Sequence, residues 1–533
     1  MGKVSTSALA RTGLINFFFY LFLFSYPVLS LLWRRSFPLL STEVFVLLAI
    51  VVGMSIIFSL IANKLRPPID YLLTGILILF VFMIQFNLLL EGMLVCIGFT
   101  TLLLFLLKQN FRVHSLPILV ALLIGAYLDS RHEPLADQSE ANAELVNTEL
   151  PPVLHIVLDG FIGIGGLPPY SSSGLIRDEI LSFFQTNDFQ LFSHAYSRYA
   201  STVDSLNSSL NYRHDGEGTY VLELEDRSAS VVKENAVFTS METLGYRLNV
   251  YQTGHLDMCQ SNLGNLDRCW QYDHPNVNSV VHSEKVGFRL YALVMVLLDQ
   301  SKLLSEILTG QQGLAVLGIT THDPRVFDIL EKDVRHKGVG NYFYAHVLLP
   351  HGPYAYQADC SVSYEAPYSL RLAYQRGEPV QPPLVYEIRN GMYFSQIECA
   401  LRSLQSLIAS LKENVDYERS IIILHGDHGS IITKNRPSFR NVEKMNKEDY
   451  RASFSTLFAV KYPGSKFSVD ERALSLSYLL EEFMVLLPSL MNPAGSYTVF
   501  RPSDTASPDK MGSYVYLNGT YPKNRIDIDI FKD

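Results

Sequence analysis

Cysteine and tryptophan are scarce in this chain, with 5 and 2 residues among 533. No two cysteines have the CxxC spacing of a zinc or thiol-redox site, so neither organises the chain. Lys/Arg-rich runs are also missing and the formal net charge is −9. Without a basic footprint no nucleic-acid partner is expected. No fixed-period repeat is visible, which excludes a solenoid or propeller.

Apolar sequence is plentiful and unevenly spread. Hydrophobic residues make up 48% of the chain and charged ones 18%, with the apolar excess mostly in the first quarter. From Leu14 to Trp33 no Asp, Glu, Lys or Arg interrupts LINFFFYLFLFSYPVLSLLW, about the length that crosses a hydrocarbon core. Similar runs follow at 44–62, 71–90, 93–107 and 116–128, the last two short. A cleaved secretory signal would precede a small-residue cleavage site, not four more apolar segments.

The expected layout is a cytoplasmic N-terminus (1–13), a membrane domain of about five transmembrane helices (14–128), a polar, acidic linker (129–150) and an outer domain (151–533). The inner loops then hold Lys3, Arg11, Lys64, Arg66, Lys108 and Arg112, and the outer loops Arg34 and Arg35. That excess favours a cytoplasmic N-terminus. An odd number of spans makes this a multi-pass plasma (inner) membrane protein with its C-terminal domain on the extracytoplasmic, periplasmic side; without the fifth crossing the sidedness inverts.

Cys96 falls in the fourth span, and Cys259, Cys269, Cys360 and Cys399 fall in the outer part. An even number in an oxidising compartment suits two disulfides, with local pairing preferred among three connectivities. Four free buried thiols are the alternative.

In the outer part short apolar runs bounded by turn residues predict buried strands at 153–158, 246–253, 342–349, 420–425 and 454–462. Between them, Ile397, Leu401, Leu404, Ile408 and Leu411 line one face of a predicted helix over 392–415. Alternating strands and helices imply an α/β domain with a mainly parallel sheet. Such sheets bind ligands beyond the carboxyl ends of their strands.

Three strands deliver chemistry to that edge. The first ends in Asp159, another in PHGPY with His351, and the run IIILHGDHGS ends in Asp427 and His428. A carboxylate beside an imidazole is a mixed pair that binds a divalent cation. Alone, Asp-His-Gly is more often a turn or helix cap than a ligand pair; three converging strand ends favour a site. In AYSRYASTVDSLNSSLNYR, Val203, Leu206 and Leu210 at i, i+3 and i+7 start a helix near Thr202. Its hydroxyl then sits where unpaired N–H groups can cradle a phosphate or sulfate. Metal coordination would lower its pKa and make it a nucleophile.

Taken in order, HIVLDG, AYSRYASTVDSLNSSL, YFYAHVLLPHGPY and HGDHGS resemble the sulfatase-like branch of the alkaline phosphatase superfamily. The nearest likeness is to membrane-anchored members such as lipoteichoic acid synthases and phosphoethanolamine or phosphoglycerol transferases. The resemblance implies an N-terminal transmembrane bundle followed by an alkaline-phosphatase-like domain. It makes Asp159, Thr202, Asp427 and His428 the metal ligands, Thr202 the nucleophile, and His351 the residue that contacts the phosphate or protonates the leaving group. One divalent ion, Mn, Mg or Zn, suits three oxygens and one nitrogen. No clear ligand set for a second metal is visible. His255, His346 and His425 are read as orienting groups or substrate contacts, and His155 as core. The C/S-x-P-x-R frame of formylglycine sulfatases is missing from STVDSL.

The function so implied is a metal-dependent phosphotransferase. It would move a phosphoglycerol or phosphoethanolamine headgroup from a phospholipid or other phosphodiester to a lipid or envelope glycan through a phospho-threonine. The alternatives are a phosphate- or sulfate-ester hydrolase, or a catalytically silent glycan- or partner-binding membrane protein.

Overall fold

A computed structural model of the chain describes residues 6–34, 39–86, 111–131, 149–168, 171–213, 221–223, 230–232, 234–253, 256–259, 264–271, 326–352, 354, 356–361, 383–414, 417–430, 432, 433, 435, 437, 443–491, 500–503, 514–516 and 525–527, with scattered helical positions between 286 and 297. Two compact units emerge: residues 1–134 with 274–321, and residues 135–273 with 322–533.

In the first unit, α1 (Thr6–Arg34), α2 (Thr42–Lys64), α3 (Pro67–Phe86) and α4 (Phe111–Arg131) cover four of the apolar runs. The run at 93–107, with Cys96, lies outside the described residues, as does most of the linker. Thr12–Trp33 and Thr42–Lys64 are long and apolar enough to cross a membrane; α3 and α4 hold the shorter apolar stretches Ile69–Val81 and Ser115–Gly125.

The interior of this unit is mainly apolar, with a polar cluster where helix ends meet. Arg112 Nη2 donates to Asp70 Oδ1 (2.6 Å), Thr74 Oγ1 (2.8 Å) and Tyr20 Oη (3.0 Å), and Nη1 to Asn16 Oδ1 (2.9 Å). Asn16 in turn donates to Asn63 at 2.7 Å, near the end of α2. Arg112, counted above as a loop charge, is thus the second residue of α4, with both Nη atoms bonded to side chains inside the unit and its charge paired with Asp70, as a charge surrounded by apolar helices has to be. Since α3 and α4 begin at this cluster and α2 ends there, α3 and α4 run one way and α2 the other.

Residues 274–321 divide the chain differently from the expected single boundary. Leu290, Leu293, Val294 and Leu297 pack on the apolar cluster of α1 to α4. They stand in the unbroken apolar run LYALVMVLL (290–298), whose side chains have to be covered by neighbours or lipid and not by water.

The second unit holds the strands β1 (Val153–Leu158), β2 (Gln190–Phe192), β3 (Val221–Glu223), β4 (Ser230–Val232), β5 (Arg247–Gln252), β6 (Leu256–Asp257), β7 (Leu266–Gln271), β8 (Asn341–Val347), β9 (Ile421–Gly426), β10 (Phe458–Lys461), β11 (Ser468–Asp470), β12 (Tyr514–Tyr516) and β13 (Arg525–Asp527). Eight of these form one sheet in the order β11-β2-β10-β9-β1-β8-β5-β7. It is mainly parallel, with β10 antiparallel to both neighbours. The expected strand at 454–462 is shorter, because Asn446 and Asp449 form a capping box that starts a helix running through Phe454.

Central β1 is buried throughout, which is why it reads as an unbroken apolar run and not as an alternating one. Leu158 at its end pairs with Val347 on β8 and Gly426 on β9, both parallel. The three carboxyl ends therefore stop at one level. Helices α5 (Ser171–Thr186), α6 (Thr202–Leu210), α7 (Ala236–Thr243), α8 (Val326–Lys337), α9 (Pro383–Asn414), α10 (Lys447–Phe454) and α11 (Leu476–Leu490) complete the unit.

Candidate active site

Asp159 and Asp427 leave neighbouring strands directly after the paired residues Leu158 and Gly426. The chain turns at once after Asp159 because Gly160 takes φ +68°, a conformation glycine adopts without steric cost. The Gly160 N–H donates to Asp427 Oδ1 (2.8 Å), and so does the His428 N–H (2.8 Å). With Oδ1 accepting two hydrogen bonds, Asp427 Oδ2 has no hydrogen-bond partner among the described residues, nor has Asp159 Oδ1, although both atoms are buried.

His428 faces these oxygens with a lone pair. Its Nδ1 lies 2.6 Å from Gly429 O; a carbonyl only accepts, so Nδ1 carries the proton and Nε2 is bare. Nε2 stands 3.4 Å from Asp427 Oδ2 and 3.6 Å from Asp159 Oδ1. A Cβ at Gly429 would collide with Ala452 O, so this close seat requires glycine.

Thr202 opens α6. Ser201 is the N-cap with extended backbone, which leaves the Thr202 hydroxyl free of capping. Its Oγ1 lies 3.3 Å from Asp159 Oδ2 and 3.4 Å from His428 Nε2. One turn on, Ser205 donates to the Asp427 carbonyl and contacts Ser197 Oγ at 2.7 Å. The start of α6 is thereby fastened to the strand that carries two of the facing groups.

Asp159, Asp427 and His428 offer ligand atoms within 4.8 Å of one another. Two buried carboxylate oxygens without donors, facing an imidazole lone pair, repel unless a cation lies between them. The residues fit a divalent ion, and the mixed oxygen and nitrogen set suits Mn, Mg or Zn. Electrostatics agree. Burial would raise the Asp159 carboxyl, but the charge of His351, the hydrogen bond of His346 and the charge of His428 hold it well below the usual range. Burial would lower His428, yet Asp427 and then Asp159 raise it.

The remaining sequence-predicted residues are distributed around this group. His346 on β8 puts Nε2 3.6 Å from Asp159 Oδ2. His351 is half-buried, its ring centroid 6.4 Å from that of His428. His425 points into the sheet core toward His155, at 2.7 Å between Nε2 atoms. His255 lies outside the described residues. Disulfides join Cys259 to Cys269 and Cys360 to Cys399.

Two supporting residues on α9 escape sequence reasoning. The Tyr393 hydroxyl donates to Gly160 O (2.7 Å) and accepts from the Ile162 N–H (2.9 Å). Gln396 Nε2 donates to Pro350 O (3.0 Å) and His351 O (3.1 Å). The available signal was polar groups on the apolar side of an amphipathic helix: Gln396 directly precedes core residue Ile397, and Tyr393 lies one turn before it.

A family model described as Sulfatase matches residues 168–487. No curated protein matches the chain. Among solved structures, the chain is similar to the C-terminal periplasmic domain of EcEptC from Escherichia coli in complex with Zn (14% identical, covering 74% of this chain and 96% of that one, TM-score 0.41). It is also similar to the phosphonate monoester hydrolase of Agrobacterium radiobacter (12%, 65% and 79%, TM-score 0.37). Ps i-CgsB in complex with k-i-k-neocarrahexaose is a third (13%, 64% and 72%, TM-score 0.38).

Proposed function

This chain belongs to the sulfatase family, and from that membership we propose that it is a membrane-bound, metal-dependent phosphotransferase with Thr202 as nucleophile. The observation that carries the reading is the convergence of Thr202 Oγ1 with Asp159 Oδ2 at 3.3 Å and His428 Nε2 at 3.4 Å. Thr202 stands where formylglycine enzymes need Cys or Ser, which favours phosphoryl over sulfuryl transfer.

A divalent cation held by Asp159, Thr202, Asp427 and His428 supplies positive charge that lowers the pKa of the hydroxyl and offsets charge on the phosphoryl oxygens. With its pKa so lowered, the Thr202 hydroxyl gives up its proton to solvent, and Oγ1 forms the new bond to phosphorus. The bond from phosphorus to the departing alcohol breaks as protonated His351 gives that oxygen its proton. His351, now neutral, takes the proton of an acceptor hydroxyl, which attacks phosphorus and returns Thr202 as the alkoxide, to be reprotonated. Gln396 and Tyr393 hold the loops that orient His351 and Asp159. Donor and acceptor are a phospholipid or other phosphodiester and a lipid or envelope glycan.

The layout belongs to the same proposal: several N-terminal crossings and a catalytic unit, residues 151–273 and 322–533, outside the cytoplasm. Two disulfides in that unit support an oxidising compartment, and the common direction of α3 and α4 supports an odd number of crossings. Purified full-length protein incubated with phospholipid should carry a headgroup adduct on Thr202 by mass spectrometry. Free headgroup released without any acceptor product would instead make it a hydrolase.

A further inference from the structure

Beside the centre just described, α9 buries an asparagine for which the protein has no use. Asn390 is 1% exposed, and neither its Oδ1 nor its Nδ2 has a hydrogen-bond partner among the described residues. Its neighbour Arg389, also buried, sends Nη2 to Thr433 O at 2.7 Å. The Thr433 hydroxyl is likewise buried without a hydrogen-bond partner among the described residues. Buried side-chain amides are nearly always paired, so one left open on both atoms, next to the arginine that holds the segment with a second open hydroxyl, marks a place built for something absent.

Position ties this cluster to the chemistry. Asn390 is one turn, about 4.5 Å along the helix axis, before Tyr393. The Tyr393 hydroxyl is itself bonded to Gly160 and Ile162, just after Asp159. Thr433 follows His428 by five residues. The helix turn that carries Asn390 is thus joined through Tyr393 to the segment after Asp159 and through Arg389 to the segment after His428.

We propose that Asn390 and Thr433, braced by Arg389, form a subsite for a hydroxyl-bearing alcohol group of the substrate, a glycerol or sugar ester. The inference rests on the phosphoryl-transfer reading and adds its substrate class. A side-chain amide offers one acceptor and one donor group, and a hydroxyl, or a pair on adjacent carbons, answers both. An ammonium only donates and leaves Asn390 Nδ2 unpaired; an alkyl group answers neither atom. Sites that hydrogen-bond a substrate hydroxyl discriminate strongly against analogues lacking it.

The test uses metal-loaded full-length protein in detergent with three 4-nitrophenyl phosphodiesters, whose second ester group is glyceryl, aminoethyl or ethyl. Turnover of the ethyl ester tests the phosphoryl-transfer reading; the ratios of kcat/KM among the esters test the subsite. Wild type should prefer glyceryl over both others. In Asn390→Leu, and independently in Thr433→Val, the glyceryl-to-ethyl ratio should fall about tenfold or more. A wild-type preference for aminoethyl or ethyl, or ratios in both variants equal to wild type, overturns the subsite while leaving phosphoryl transfer standing. Absence of turnover of every ester by wild type overturns both.

Discussion

His155 Nε2 and His425 Nε2 stand 2.7 Å apart in the middle of the sheet, and this contact fixes a chain of protons. His425 Nδ1 lies 2.8 Å from Gly426 O, so it donates there and its Nε2 accepts. His155 Nε2 is then the donor, and its Nδ1 accepts from the Tyr342 hydroxyl at 2.6 Å. The chain ends on the carbonyl immediately before Asp427.

Both rings are held neutral. Burial first, and then His425, pushes His155 well below its usual value, while burial brings His425 down to about 4. The unfolded chain binds protons at these residues below about pH 6.5 that the folded chain refuses. Stability is therefore full above that value and lost as pH falls toward 4. The thermal midpoint should decline over this window in wild type and less steeply in His155→Phe. At neutral pH His155→Phe should cost about 1–3 kcal/mol, since it leaves Tyr342 and His425 unpartnered. Equal acid slopes would refute the assignment.

Thr202 offers a sharper chemical test. Thr202→Ala should lose on the order of 10³-fold or more in kcat, as nucleophile deletions do, with no headgroup adduct. Thr202→Ser keeps a hydroxyl at the start of α6 and should retain measurable turnover with the adduct on residue 202. Turnover by Thr202→Ala at wild-type rate would remove the covalent scheme.

Removing a facing carboxylate should separate metal binding from folding. Asp427→Asn should copurify with far less divalent metal than wild type by elemental analysis. After chelation the ordering of stability should reverse. The metal-free wild type keeps two opposed carboxylates, Asp159 and Asp427, that the variant lacks, so Asp427→Asn should then melt at the same temperature or higher. Equal metal content in the two proteins would contradict the assigned ligands.

The Cys360–Cys399 bridge closes a sequence separation of 39 and Cys259–Cys269 one of 10. Loop-closure entropy gives about 4 and about 3 kcal/mol respectively. Only the longer bridge ties the segment after His351 to α9, whose Gln396 holds that segment. Replacing Cys360 and Cys399 by serine should lower kcat as well as the melting temperature. Serine at Cys259 and Cys269 should lower the melting temperature alone. Non-reducing peptide mapping should find both bridges.

In the helical unit, Arg112 and Asp70 pair at 2.6 Å with side chains 13% and 9% exposed. Removing one partner of a buried pair costs about 3–5 kcal/mol, because the other charge is stranded. Asp70→Ala should therefore reduce detergent-extracted yield and melting temperature more than the double variant Asp70→Ala with Arg112→Ala.

Much was legible in the sequence because it rests on local periodicity. Buried parallel strands give unbroken apolar runs such as Val153–Leu158, amphipathic helices give stripes such as Ile397 to Leu411, and membrane-length runs announce themselves. The candidate residues Asp159, Thr202, Asp427 and His428 could be named because each stands at the end or start of such an element. Other features depended on distant partners. Nothing near residue 425 reveals that His425 turns toward His155 while His428 turns toward Asp159; the strand pairing of β1 with β9 decides that. Tyr393 and Gln396 reach the site only because α9 lies against the loops that follow β1 and β8. Leu290, Leu293, Val294 and Leu297 join the N-terminal helices because their apolar side chains find cover there. Sequence alone determined which elements form and which chemical groups they carry to their ends; tertiary structure decided which groups meet, because hydrogen bonding and charge compensation between residues hundreds of positions apart depend on packing and not on spacing along the chain.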